Sequence, residues 1–110
     1  MVTARPGGKV RVNADGFLLD HREWNREVAE WLAVSDGIEL TEAHWEIIEF
    51  VRNHYLRCGH FPNMRVFVKA VAGTLGEEKG NSRYLHRLFP KGPLKSACKL
   101  AGLTKPPHCL

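Results

Sequence analysis

TEAHWEIIEFVRNHYLRCG, residues 41–59, and the HFPNMRVFVKAVAGTLG that follows, residues 60–76, set two helical periods end to end. In the first, Ile47, Ile48, Val51 and Tyr55 fall on one side of a helix, and Glu42, Glu46 and Glu49 are left to water. Thr41 is a hydroxyl N-cap able to take up an orphaned amide proton at the helix start, and Gly59 closes the run. In the second, Met64, Phe67, Val68, Val71 and Leu75 recur at helical spacing until Gly76 stops them. Two adjoining amphipathic helices joined by a link containing Pro62 predict a mainly α fold.

Downstream, Asn81 or Ser82 starts a short helix with Tyr84, Leu85 and Leu88 inward, and Pro90 ends it. Pro93, pre-set for a first helical position, opens another helix whose apolar face is Leu94, Ala97, Leu100 and Ala101, up to Gly102. Pro106 and Pro107 forbid helix beyond it. Upstream, Asp20 with Glu23 three positions on has the form of a capping box, and Trp24, Val28, Trp31 and Leu32 continue as a helical face ending before Gly37. Between Lys9 and Leu19, weak alternation around Asn13-Ala14-Asp15-Gly16 predicts a β-hairpin. The expected fold is a small orthogonal helical bundle with a helix-turn-helix-like pair (Met64–Leu75 and Asn81–Leu88), a short N-terminal β-hairpin and an extended C-terminal arm. It is expected to form a single domain over residues 1–110, with 1–8 flexible and 103–110 a mobile arm.

Composition agrees with one core: 110 residues, 44 % hydrophobic, 25 % charged, three tryptophans. Such a chain is too short for a multidomain enzyme. The absence of a long apolar run or an apolar leader points to a cytoplasmic protein without membrane insertion. The net charge of +4 conceals a polarity. Residues 1–55 carry six lysines and arginines against ten acids, and residues 56–110 carry ten against only Glu77 and Glu78. An anionic partner therefore meets the C-terminal half first. Within it Arg83/Arg87 and Lys95/Lys99 are i, i+4 pairs and, with Lys105, are candidate partner-binding residues. An acidic protein, a small oxyanion or nucleic acid would each suit them, the last through the helix-turn-helix-like pair.

The three cysteines are an odd number for a disulfide framework. Cys58 sits at a helix end beside Gly59 and is assigned no role. Cys109, next to last in the chain behind Pro106-Pro107-His108, is presented on a stiffened polar tail where a thiol is out of its usual buried setting. Cys98 lies eleven positions earlier; in one continuous helix the two would stand about 16 Å apart, too far to bond. With the helix stopped at Gly102 and the arm folded back, a ring of this size closes at an entropic cost of about 3 kcal/mol, compatible with a bond that forms and opens. No paired metal-ligand spacing accompanies the six histidines, and no nucleotide-binding glycine loop is present, so neither metal nor cofactor is expected.

The blocks DGFL (15–18), Trp24, GIELTEAHWEIIEFVR (37–52), Pro62 with Arg65 and Lys69, GEEKGNSRYLHRLFPKGP (76–93) and ACKLAGLTKPPHCL (97–110) together resemble the DsrC/TusE family of sulfur carriers, the family of the dissimilatory sulfite reductase gamma subunit. The resemblance runs from about Asp15 to Leu110. It implies a cytoplasmic helical protein whose arm enters a partner's active site, with Cys109 as the sulfur acceptor. It implies Cys98 as the resolving thiol, through a disulfide or trisulfide. Ten residues between the two cysteines match the two-cysteine DsrC pattern, whereas members with the outer cysteine alone resemble TusE and relay persulfide toward tRNA thiolation. Implied partners are sulfite reductase or sulfurtransferase-type proteins and DsrEFH- or TusBCD-like sulfur donors. The chain thus resembles a carrier substrate more than a free-standing enzyme; if classed, it would be a sulfurtransferase or a reductase subunit. It departs from the family tail AGLPKP at Thr104, which replaces the first proline.

Overall fold

The computed structural model describes residues 2–5 and 8–104. Its elements run β1 (Val2–Arg5), β2 (Gly8–Arg11), a 3-10 turn (His21–Glu23), α1 (Arg26–Ser35), α2 (Glu42–Cys58), α3 (Met64–Leu75), α4 (Ser82–Leu88) and α5 (Pro93–Leu100). The fold is mainly α with a short N-terminal hairpin, as the sequence pattern indicates. β1 and β2 pair antiparallel, Val2 opposite Arg11 and Arg5 opposite Gly8, so the paired strands lie earlier than the alternation of residues 9–19 suggests. The Asn13–Gly16 turn is nonetheless present: Asn13 Oδ1 accepts from the Asp15 and Phe17 amides, and the turn closes a single bridge between Val12 and Leu18.

The first helix starts later than its apparent capping box. Asp20 caps only the 3-10 turn, accepting from the Arg22 amide, and Asn25 caps α1, its side chain accepting from the Val28 amide at 2.9 Å. Trp24 therefore lies in extended backbone between the two and not on the helical face, which frees its ring to reach α5. The local reason is that two capping residues compete, and the one that leaves Val28, Ala29, Leu32 and Ala33 facing inward begins the long helix.

At the start of α2, His44 Nδ1 accepts from the Thr41 amide at 3.2 Å and lies 2.9 Å from Thr41 Oγ1, while its Nε2 lies 2.8 Å from Leu88 O. Only the tautomer with the proton on Nε2 serves both contacts, so one neutral imidazole pins α2 to the end of α4. Between α3 and α4 the chain turns tightly enough that a Cβ on Gly80 would fall 2.1 Å from the Ala72 amide nitrogen. Only glycine permits this approach. Asn81 then caps α4 by accepting from the Tyr84 amide. This pair is the helix-turn-helix-like element.

The core is one cluster built from Phe17, Leu18, Ile47, Ile48, Phe61, Phe67, Leu85, Phe89 and the inner face of α5. α5 packs on α1, α2 and α4, and six of its eight residues, Cys98 among them, are buried. It is the central helix, and the C-terminal tail grows from its end.

Candidate functional site

The C-terminus of α5 is closed by a motif that reverses the chain. Gly102, at φ +76°, donates its amide to Lys99 O (3.1 Å), and Leu103 donates to Cys98 O (3.0 Å). This is the Schellman arrangement, which a left-handed glycine makes possible and which satisfies carbonyls orphaned at a helix end. Leu103 is consequently 1 % exposed and belongs to the core.

Two side chains from distant segments finish the cap. Trp24 Nε1 donates to Leu100 O at 2.7 Å, and Arg52 Nη1 donates to Ala101 O at 2.8 Å. Arg52 Nη2 also donates to His21 O (3.1 Å), and its guanidinium lies 4.4 Å from the Trp24 ring centre. Burial pushes the Arg52 pKa down from its ordinary value, and an arginine in a protein stays charged. A positive charge thus sits at the negative end of the helix dipole, held there by the indole beneath it. A Cβ on Gly102 would fall 2.4–2.6 Å from Trp24 atoms, so the indole packs directly on the reversing backbone.

Beyond Leu103, Thr104 Oγ1 lies 2.8 Å from His60 Nε2. The His60 ring meets Tyr55 (4.8 Å between ring centres), and Tyr55 meets His21 edge-on (6.3 Å). Residues 105–110, with Lys105 and Cys109, lie outside the described residues.

Cys98 is 1 % exposed, on the core side of α5. Cys58 is exposed at the end of α2. Arg83 and Arg87 are exposed on α4, Arg87 with its guanidinium 5.8 Å from the Tyr84 ring centre. Arg87 and Lys91 line one recess with Asp36–Glu39 and His44, and Lys91, Lys95 and Lys99 line a neighbouring one of about 200 Å³ with Asp15, Asp36 and Ser96. Lys95 is half-buried in that wall, whereas Lys99 is committed to Asp36 at 2.8 Å, both side chains largely covered (14 % and 15 % exposed). The structure therefore brings Arg87, Lys95 and Lys99 onto adjoining recesses and leaves Arg83 outside both. Among the described residues no cluster of histidine, cysteine and carboxylate side chains is arranged to hold a metal ion, and no helix is long and apolar enough to cross a membrane.

The periodicities do not disclose the roles of Arg52, His21 and His60. The one available signal is that Arg52 follows Val51 next to the apolar stripe Ile48–Val51–Tyr55, a place where a cation needs a buried acceptor.

A central helix with a fully capped end and a cysteine buried in its last turn define a small helical domain built around α5. The family model described as "DsrC like protein" matches residues 5–110, and the chain belongs to that family of sulfur carriers. It is 49 % identical over 104 residues to the sulfurtransferase TusE of Salmonella choleraesuis (strain SC-B67), covering 94 % of this chain and 95 % of that protein. It resembles the NMR structure of DsrC from Allochromatium vinosum (TM-score 0.89, 45 % identity, 100 % of each chain covered). It also resembles the crystal structure of the oxidized gamma-subunit of the dissimilatory sulfite reductase, DsrC, from Archaeoglobus fulgidus (TM-score 0.84, 41 % identity, 100 % of each chain covered).

Proposed function

We propose that this protein accepts sulfane sulfur on Cys109 and hands it on within a sulfite reductase-type pathway, with Cys98 as the resolving thiol. The observation that carries the reading is the presence of two cysteines with ten residues between them in a tail block of the family, the inner one in the last turn of the central helix. The Cys109 thiolate attacks the outer sulfur of a donor persulfide, and the donor leaves as its thiolate. The carrier is left with a persulfide on Cys109. Attack by the Cys98 thiolate on the Cys109 sulfur then forms a Cys98–Cys109 disulfide and expels hydrosulfide, with no further oxidant required.

The reversal at Gly102 supports this second step. Leu103 is hydrogen-bonded back to Cys98 O, so the tail starts beside Cys98 instead of continuing along the helix axis. The six residues from Thr104 to Cys109 are joined by five Cα–Cα steps, which span at most about 17 Å when extended, enough for a return. Burial of Cys98 keeps it from competing for the donor, so resolution requires the last turn of α5 to open locally. Lys95, Arg87, Arg83 and Lys105 would meet the acidic surface of the partner. Cytoplasmic placement accords with thiols kept reduced. The name of the TusE relative favours a second reading, a persulfide relay among sulfurtransferases; it uses Cys109 alone.

Intact mass after incubation with a persulfide donor tests both. The wild type is expected to gain one sulfur transiently and then release it as hydrosulfide, ending as the disulfide two hydrogens lighter, while Cys109→Ala gains none and Cys98→Ala keeps the added sulfur without hydrosulfide release. Loading that persists in Cys109→Ala overturns the acceptor role, and hydrosulfide release undiminished in Cys98→Ala overturns the resolving role and leaves the relay.

A further inference from the structure

His60 stands just past the end of α2, 44 positions from Thr104, yet its Nε2 is 2.8 Å from the Thr104 hydroxyl. Thr104 is exposed and follows the core residue Leu103, so it is the first tail residue that packing does not fix. A proline at this position would have no side-chain hydroxyl to make this contact. The other ring nitrogen, Nδ1, is buried with no partner. We propose that His60 is a positioning residue for the sulfur-bearing tail: by holding the Thr104 hydroxyl it fixes the point and direction from which the segment carrying Cys109 leaves the body. The inference rests on Cys109 being the acceptor for its functional meaning, though not for its geometry.

A tail that starts from a fixed point samples a smaller volume, which raises the effective concentration of its tip at a partner docked on the body. The hold also depends on the state of the ring. With Nδ1 buried and without a partner, the tautomer that donates from Nε2 to Thr104 leaves only a lone pair unmet, whereas the other tautomer or protonation puts an N–H there with no acceptor. Tyr55 of α2 faces the ring, His21 of the 3-10 turn stands behind Tyr55, and Arg52, one turn back on α2, is turned onto His21 O. None of these neighbours is a carboxylate that would offset the added charge. Burial accordingly holds His60 below the ordinary imidazole pKa. Acidification through that value is expected to swing the ring to water and release Thr104.

The test uses the full chain with a nitroxide on Cys109 in a Cys58→Ser/Cys98→Ala background, reading paramagnetic broadening of body amides together with the order of the Thr104 amide. At neutral pH the broadening is expected to concentrate on one face and Thr104 to be as ordered as the helices. Thr104→Val is expected to disperse the broadening and lose that order, Thr104→Ser to restore both, and His60→Gln to keep both while losing the change on acidification. Broadening and order unchanged in Thr104→Val, or an acid transition that survives in His60→Gln, would overturn the proposal. Sulfur loading of unlabelled Thr104→Val is expected to match the wild type with a small-molecule persulfide. Failure of the wild type itself to load would refute the acceptor reading and leave the broadening result standing.

Discussion

The two ends of α5 are built to opposite plans. At the N-terminal end Gly92 offers no side-chain cap, Pro93 removes one orphan amide, and the flanking Lys91 and Lys95 face open recesses. At the C-terminal end each carbonyl from Cys98 to Ala101 has a donor, from Leu103, Gly102, Trp24 and Arg52 respectively. The difference teaches where rigidity is needed. The tail proposed to carry sulfur grows from the saturated end, and the unsaturated, basic end is left as surface.

Breaking the saturated end should have the largest effect. Gly102→Ala places a methyl group inside the Trp24 ring's contact distance and forces an alanine to φ +76°. A loss of about 3 kcal/mol or more is expected in denaturant unfolding; a loss under about 0.5 kcal/mol would show that the indole does not hold the turn. Arg52→Met keeps volume over Trp24 but leaves the Ala101 and His21 carbonyls without their donor. About 2 kcal/mol is expected, with faster exchange of the Leu103 amide than in the parent. At the other end the contrast is within one helix. Lys99→Met should cost about 1–2 kcal/mol by stranding the largely covered Asp36 carboxylate, whereas Lys95→Met should change stability by less than about 0.5 kcal/mol and weaken only salt-sensitive partner binding. Equal effects of the two would erase the distinction between a committed and an available lysine.

Much of this was readable from residues. The spacing of Ile47, Ile48 and Val51, the caps Thr41 and Asn81, and the stops Gly59, Gly76 and Gly102 encode α2 to α5 locally, and the structure follows them. The start of α1 is ambiguous in the sequence because Asp20 and Asn25 are both good caps, and Asn25 is the one that both turns Val28, Ala29, Leu32 and Ala33 inward and leaves Trp24 free to reach Leu100, 76 positions away. The arm's root was illegible for the same reason: Arg52, His21 and His60 act through contacts set by the tertiary fold, which no local period records. The roles proposed for Cys98 and Cys109 rest on sequence properties alone, the ten residues between them and the two prolines before Cys109.

The most direct measurement is a map of where sulfur lands on the wild-type protein: incubation with a limiting persulfide donor, rapid alkylation and peptide mass spectrometry of Cys58, Cys98 and Cys109. The account predicts the added sulfur on Cys109 in large excess, none on buried Cys98 before any disulfide forms, and little on Cys58. Sulfur found chiefly on Cys58 or Cys98, with Cys109 alkylated as a plain thiol, would contradict it.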